Sequence, residues 1–337
     1  MAILPIFIPH AGCPHQCVFC NQKTISGQHQ AAVSSAARQI ERWLQWLRPS
    51  PQNEAAFYGG SFTGLAFDLQ KQLLQLTDDL LAKKIIGSVR LSTRPDYINE
   101  DVLQLLRGHN VKLVELGVQS LDDKVLQAAE RGHTAAAVPA AVKLLRRAGM
   151  KIGLQLMVGL PQQDFESVQN TVRQVVALQP DIARIYPLLV IKGTPLAGSW
   201  QEGKYQPLSL QEAVRQSAYV YRILTENGIQ VIRVGLQPDE ELCAAGNILA
   251  GPFHPSMGEL VQSYLLKEQL TPELKKLAGM QEIVIHCPNK LMSKLRGLKN
   301  SNLRYWQKIL APTRINIQLS EDARISISTS NEKHNGI

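Results

Sequence analysis

Apolar and polar positions along this 337-residue chain switch repeatedly between two periods. Residues 31–48 place Val33, Ala36, Ala37, Ile40, Trp43, Leu44 and Leu47 on a helical repeat, and Pro49 and Pro51 stop it. The apolar run 55–58 then ends at Gly59-Gly60 and reads as a buried strand. Further helices are predicted over 68–84, 99–107, 122–130, 135–148, 164–178 and 209–227. Strands are predicted over 89–93, 113–118, 152–158, 182–189 and 231–234. Strands that alternate with helices need crossover connections and therefore pair in parallel. The class is α/β, a partial or complete (β/α) barrel. A doubly wound open sheet has the same periodicity and stays open as an alternative. Gly59, Ser92, Glu115, Gln155 and Arg184 lie in or just after separate strands, positions that a barrel gathers at its mouth, and this favours the barrel.

The pattern changes near residue 250. The α/β part takes residues 1–250, and 251–280 begins Gly-Pro-Phe-His-Pro and reads as a linker with one helix over about 257–269. Residues 281–330 then carry strand, helix, helix, strand, strand at 282–286, 289–296, 302–310, 314–319 and 324–328, before a tail at 331–337. This order resembles a small α+β module of the KH type. Gly297-Leu298-Lys299-Asn300 falls where such modules carry G-x-x-G, which clamps a nucleotide backbone. Asn300 replaces the second glycine and tolerates positive φ. Lys294, Arg296, Gly297, Lys299, Asn300 and Arg304 are the candidate RNA contacts, with Lys308 beside them. Tyr305 offers a ring for a base, whereas Trp306 shares helical spacing with Leu303 and Leu310 and reads as core. The net charge is +8, and residues 281–337 hold nine Lys+Arg against four Asp+Glu, a net of +5. Such a balance suits a polyanionic partner, the alternative being a cap with a solvated basic face.

Candidate chemistry sits near the start of the chain. Cys13, Cys17 and Cys20 have the spacing C-x3-C-x2-C. Three thiolates can hold three irons of a [4Fe–4S] cluster and leave the fourth iron open to a small molecule. Zinc, with His10 or His15 as a fourth ligand, is the competing reading. Disulfide pairing suits neither three cysteines here nor five in the chain. Phe19, ahead of the third cysteine, suits a cofactor packing over the cluster. Cys243 and Cys287 are isolated and read as buried free thiols; His254 and His286 carry little information. No 18-residue apolar run is present, so no membrane partner is expected, and free thiolates suit a cytoplasmic location.

The cysteine loop, from Ile8-Pro9-His10 through Cys20-Asn21-Gln22-Lys23-Thr24-Ile25-Ser26-Gly27, resembles that of radical S-adenosylmethionine (SAM) enzymes. More narrowly it resembles the branch with the Elongator catalytic subunit and the oxygen-independent coproporphyrinogen oxidases. Tyr58-Gly59-Gly60-Ser61-Phe62, Leu91-Ser92-Thr93-Arg94-Pro95-Asp96, Glu115-Leu116-Gly117-Val118-Gln119-Ser120, Arg131-Gly132-His133-Thr134, Met157-Val158-Gly159-Leu160-Pro161 and Arg184-Ile185-Tyr186-Pro187 follow in the family's order. Together they cover about residues 5–240.

The resemblance implies that Cys13, Cys17 and Cys20 ligate a [4Fe–4S] cluster whose fourth iron binds SAM. Gly59 and Gly60 would meet the methionyl amino group through their backbone. Gln119, Arg131 and Gln155 match positions that contact the cofactor's ribose, carboxylate or nearby groups. Ser92 matches a similar polar position, and Gly159 would lie near the adenine. Glu115, from its place at the mouth of a strand, reads as cofactor-binding, with a catalytic role as the alternative. The implied reaction is reductive cleavage of SAM to a 5′-deoxyadenosyl radical that abstracts hydrogen, with flavodoxin or ferredoxin as electron donor. The sequence departs from the family at Ser61, where an acidic residue is frequent. The chain's length leaves no room for an acetyltransferase domain after residue 337, so acetyl chemistry is not expected, and no porphyrin site is evident. A radical enzyme acting on RNA, tRNA included, is the first expectation. A radical enzyme on a small metabolite and a noncatalytic metal-stabilised RNA-binding protein are its rivals.

Overall fold

The computed structural model describes residues 2–8, 13, 17–21, 33–238 and 240–329. His10, His15, the motif residues 22–27 and the 331–337 tail lie outside the described residues. The chain divides into two units, Met1–Pro255 and Ser256–Ile337.

The first unit is built on seven parallel strands. In chain order they are β1 (Ile3–Phe7), β2 (Glu54–Tyr58), β3 (Ser88–Thr93), β4 (Val111–Gln119), β5 (Lys151–Val158), β6 (Ile182–Pro187) and, after the short β7 (Val190–Ile191), β8 (Gln230–Val234). Helices α1 (Val33–Leu44), α2 (Phe67–Ala82), α3 (Glu100–Gly108), α4 (Asp123–Ala128), α5 (Ala137–Arg147) and α6 (Phe165–Leu178) alternate with them. They are followed by α7 (Pro195–Gln201), α8 (Leu210–Glu226) and α9 (Glu240–Cys243).

The spatial order of the strands, β1-β2-β3-β4-β5-β6-β8, follows the chain. A doubly wound sheet reverses direction at a switch point. Here the winding never reverses, so the sheet curls one way into a partial barrel with β1 and β8 as its edges. The middle strand β4 is buried along its length except at Lys112, as expected of a parallel strand covered on both faces. Leu4, Ile6, Phe57, Leu91, Val114, Leu116, Leu154 and Ile185 meet Leu73, Leu74, Leu103, Leu106, Val142, Leu145, Val172, Val175 and Leu224 from the helices in one core. Side-chain caps start the helices where the sequence offers them. Asn99 accepts from Val102 N–H at 2.9 Å, Asp164 from Ser167 N–H at 2.7 Å and Ser209 from Glu212 N–H at 3.2 Å.

Several short or edge elements of this unit escape the sequence pattern. Strand β1 carries Pro5, which argues against a strand, yet an edge position leaves the missing N–H without consequence. The antiparallel pair formed by β7 and β9 (Ile248–Ala250), and helix α7, are too short for a period to register.

The second unit begins with α10 (Met257–Lys276), in the segment expected to be mainly linker. The predicted helix stops at 269, ahead of Pro272. The observed one runs through the proline because Leu270 and Leu274 both belong to the unit's core. Strand β10 (Glu282–Pro288), helices α11 (Met292–Arg296) and α12 (Ser301–Ile309), and strands β11 (Arg314–Ser320) and β12 (Ser326–Thr329) follow. β10 lies between the other two strands, parallel to β11 and antiparallel to β12. The core gathers Ile283, Ile285, Cys287, Leu295, Leu310 and the fully buried Trp306, whose indole N–H donates to Thr271 Oγ1 at 2.9 Å.

Trp306→Ala removes the largest side chain of that core and leaves the Thr271 hydroxyl without its donor. It should cost about 3–5 kcal/mol of local stability. Native-state hydrogen exchange at the β10 amides is the readout, and protection equal to the wild type would refute the assignment.

Candidate active site at the C-terminal edge of the sheet

Every parallel strand ends at the same edge, and the loops that leave this edge carry the motif residues. The cysteine loop follows β1. In it Cys20 N–H donates to the Cys17 carbonyl at 3.0 Å, a turn that brings the second and third cysteines together. Val18 anchors the loop from both sides, its N–H donating to Ala129 O at 3.2 Å and its carbonyl accepting from Leu196 N–H at 2.8 Å. Val18 packs with Val125, Ala129, Leu160 and Leu188, and Phe19 lies half-buried against this group with Met157. Cys17 is buried, Cys20 half-buried and Cys13 exposed as a residue. Burial of the Cys13 thiol and the neighbouring Cys17 push it up, while the Ser61 N–H, Arg131 and Arg94 act in the opposite direction. Among the described residues no three His, Cys, Asp or Glu side chains surround one point as a metal site.

Arg131 follows α4 and reaches the loop directly. Its Nη1 lies 3.1 Å from Cys17 Sγ and its Nη2 donates to the Gly117 carbonyl of β4 at 2.5 Å. Its Nε is buried without a partner, as are Gln119 Oε1 and His133 Nε2. Gln119 closes β4 in a left-handed conformation, φ 66°. Burial, then Arg131, push the His133 imidazole down to about 4, so the ring is neutral at pH 7. Arg94, in the loop after β3, donates to the Arg131 carbonyl at 2.6 Å and pairs with Asp96. Ser61, the departure from the family pattern, bonds Thr93 Oγ1 at 3.0 Å and accepts from Arg94 N–H at 3.2 Å. Its side chain thus braces two loops instead of offering a carboxylate.

Beneath this edge the inner face of the sheet carries a charged layer. Glu115 on β4 accepts from Arg184 on β6 at 2.5 and 2.9 Å and from Gln155 Nε2 on β5 at 3.3 Å. Arg90 on β3 lies 3.8 Å from Glu115 and 3.4 Å from Glu54 on β2. Two carboxylates and two guanidiniums therefore sum to zero. Gln155 also donates to Ser92 Oγ at 3.3 Å, and Arg184 reaches the Tyr58 hydroxyl at 3.2 Å. Burial works against the charge of Arg184, but Tyr186 and Glu115 hold its pKa above the ordinary guanidinium value. Gly153 on β5 makes room for this layer, since a Cβ there would lie 2.9 Å from Glu115 Cγ.

The structure therefore collects Cys13, Cys17, Cys20, Phe19, Gly59, Gly60, Ser92, Glu115, Gln119, Arg131, Gln155 and Gly159 at one edge or just inside it. Gly59 turns the chain at φ 95°, a conformation that suits glycine. The Gly159 carbonyl is covered by the Tyr205 hydroxyl at 2.6 Å. Glu115, expected at a cofactor, has both carboxylate oxygens taken by protein partners. Cys243 is exposed, contrary to the expected buried thiol, whereas Cys287 is buried. Arg94, Asp96, His133, Arg90, Tyr58 and Tyr186 were given no role from sequence. The Arg-Pro-Asp order of residues 94–96 was the available signal, because a tight turn lets two residues flanking a proline face each other. In the second unit Lys299 and Asn300 both adopt left-handed backbone, φ 51° and 60°, so the asparagine does take the glycine conformation. Trp306 is core as expected, and Tyr305 is exposed with Lys267 Nζ 4.9 Å from its ring centre.

These groups fit the cofactors that the sequence motifs imply. A buried guanidinium against a thiol suits an anionic iron–sulfur cluster. Unpartnered buried atoms of both polarities, Arg131 Nε–H and Gln119 Oε1, suit a zwitterionic small molecule beside it.

A profile of the radical SAM superfamily matches residues 7–175, and one of the radical SAM C-terminal domain matches residues 180–267. The tRNA uridine(34) acetyltransferase of Methanocaldococcus infernus is 26% identical over 311 residues, 80% of this chain and 57% of that protein. Elongator complex protein 3 of Danio rerio is 35% identical over 132 residues, 37% of this chain and 23% of that protein. Among solved structures, archaeal Methanocaldococcus infernus Elp3 with its N-terminus deleted superposes with a TM-score of 0.63. It is 25% identical, over 80% of this chain and 63% of that one. The chain spans little more than half the length of the acetyltransferases it matches. No described helix is long and apolar enough to cross a membrane. The superfamily match opens at the end of β1, crosses the cysteine loop and runs into α6, so it covers the elements that gather the thiols and Arg131; the chain belongs to the radical SAM superfamily and is an enzyme of [4Fe–4S] cluster and SAM chemistry.

Proposed function

We propose that this enzyme makes a 5′-deoxyadenosyl radical from SAM and uses it to abstract hydrogen from a base of an RNA, with tRNA as the substrate class. When held by Cys13, Cys17 and Cys20, the cluster would supply the single electron that cleaves the bond between the SAM sulfonium and its 5′ carbon, to methionine and the radical. The electron comes from a flavodoxin or ferredoxin. Cys13, Cys17 and Cys20 would hold three irons. Arg131 keeps positive charge on Cys17 and has Nε–H free for a carboxylate. The backbone of Gly59 and Gly60 would take the methionyl amino group, and Gln119 Oε1 and the Ser92–Gln155 pair would take hydroxyls of the ribose. Gly159 and Phe19 would flank the adenine and the cluster. Glu115 has a different role in this reading, holding Arg184 and Gln155 in place below the cofactor.

The observation that carries the reading is the set of buried polar atoms without partners on and around Arg131, the residue that touches Cys17: Arg131 Nε, with Gln119 Oε1 and His133 Nε2. A folded interior rarely leaves three such atoms together unless a ligand completes them. Support for RNA comes from two sides. Relatives along most of this chain are named for tRNA uridine(34), and the second unit carries a basic helix–turn–helix edge at Lys294, Arg296, Lys299 and Arg304. Membership in an enzyme family removes the noncatalytic reading, and a small-metabolite substrate remains the rival.

Anaerobic reconstitution with iron and sulfide, followed by SAM and a strong reductant, should yield 5′-deoxyadenosine. Cys17→Ala should reduce the yield to background, and a loaded wild type that leaves SAM intact would remove the radical reading. Replacing Lys299 and Arg304 together by Glu should weaken tRNA binding. The log–log salt slope should fall by about 1.5, the share of two phosphate contacts. An unchanged slope would move the substrate to the small-metabolite class. Neither substitution in the second unit should alter 5′-deoxyadenosine formation in the absence of RNA.

A further inference from the structure

Arg131 lies in a turn with little regular structure of its own. It sits between Glu130 and Gly132, which both have positive φ, 51° and 71°. Its N–H donates to the Leu126 carbonyl at 3.0 Å, the last bond inherited from α4. Beyond that the turn is held from outside. Arg94 Nη1 donates to the Arg131 carbonyl at 2.6 Å. Arg94 is itself fixed by a two-point contact with Asp96, Nε to Oδ1 at 2.9 Å and Nη2 to Oδ2 at 2.8 Å, and its side chain is only 4% exposed. Asp96 aims Arg94, Arg94 fixes the turn, and the turn presents Arg131 Nη1 to Cys17 Sγ at 3.1 Å.

We propose that the Arg94–Asp96 pair is a positioning device for the electron affinity of the cluster: by fixing the Arg131 turn it maintains an N–H···S hydrogen bond on Cys17, which raises the cluster's reduction potential. Hydrogen bonds to the sulfurs are among the levers that set iron–sulfur potentials, and they stabilise the more negative, reduced state. The pair carries one positive and one negative charge, so its direct field at the cluster largely cancels. Its influence passes through the geometry of Arg131, which supplies the net positive charge. The inference rests on Cys17 being a cluster ligand and is independent of the RNA substrate.

The two ways in which the pair could act predict opposite signs. Asp96→Asn removes a negative charge, so a purely electrostatic role would raise the potential. Loss of positioning lowers it instead, because Arg94 swings free and the N–H···S bond loosens. The experiment is a redox titration of the reconstituted protein, followed by its visible absorption and by the electron paramagnetic resonance of the reduced cluster. For Asp96→Asn we expect a reduced-to-oxidised ratio about tenfold lower at fixed potential, equivalent to a shift of about 59 mV for one electron. Arg131→Lys keeps the charge but loses the planar fork, and should shift in the same direction. Asp96→Glu should recover part of the effect. A potential for Asp96→Asn equal to or above the wild type, at equal iron content, would overturn the proposal. Failure of both Asp96 variants to assemble a cluster would overturn it too, since residues that only position Arg131 leave the thiol ligands untouched. Full iron content in Cys17→Ala would instead remove the underlying ligand assignment.

Discussion

The ion pair between Glu115 and Arg184 spans the inner face of the sheet, from its fourth strand to its sixth, and much else in the first unit depends on it. A carboxylate only 1% exposed would be very costly alone. With Arg184, Arg90 and Gln155 around it, and Glu54 paired to Arg90, the charges cancel and the lone pairs are occupied. Removing one partner would leave a buried charge uncompensated, at a cost of about 3–5 kcal/mol. The pairing constrains the backbone too. Strand β5 must carry glycine at 153 because the Glu115 side chain passes over it, and Ser92 is drawn in through Gln155. A curled sheet with a polar interior is thus held at a fixed curvature by contacts that skip neighbouring strands.

Much of the first unit was legible in the sequence because its elements are long and strongly periodic. β4 reads as a strand through its apolar Leu113, Val114, Leu116 and Val118 despite Glu115 between them, and helices such as α6 and α8 announce their starts with Asp164 and Ser209. The cysteine spacing and the glycine turns marked the working edge. What was not legible has physical reasons. Pro5 disguised β1, since a sequence does not say which strand will be an edge. The fate of Glu115 could not be read either. A glutamate within a strand looks alike whether or not it pairs with an arginine two strands away, and that pairing is tertiary. The same holds for Arg94, whose partner Asp96 is local but whose target, the Arg131 carbonyl, is not.

The second unit teaches the complementary lesson. Its element order was readable, yet the helix that opens it was cut short by the usual weight given to proline. Pro272 is tolerated because packing on Leu270 and Leu274 outweighs one lost backbone bond. Trp306, by contrast, was placed correctly from spacing alone, and the hydrogen bond to Thr271 explains how a residue with a polar edge can be wholly buried.

The two tethers of Val18 bear on the order in which the molecule is assembled. One joins the cysteine loop to the turn after α4 and the other to the start of α7, both far along the chain. Loop closure over such distances is entropically expensive until the intervening strands are in register. Val18 can take both of its partners only when the turn at Ala129 and the start of α7 are in place, so its final position depends on elements from β1 through α7. The position of the second and third cysteines is thereby a property of the whole first unit, set by residues 111 and 178 positions away along the chain, and not of the local C-x3-C-x2-C sequence alone.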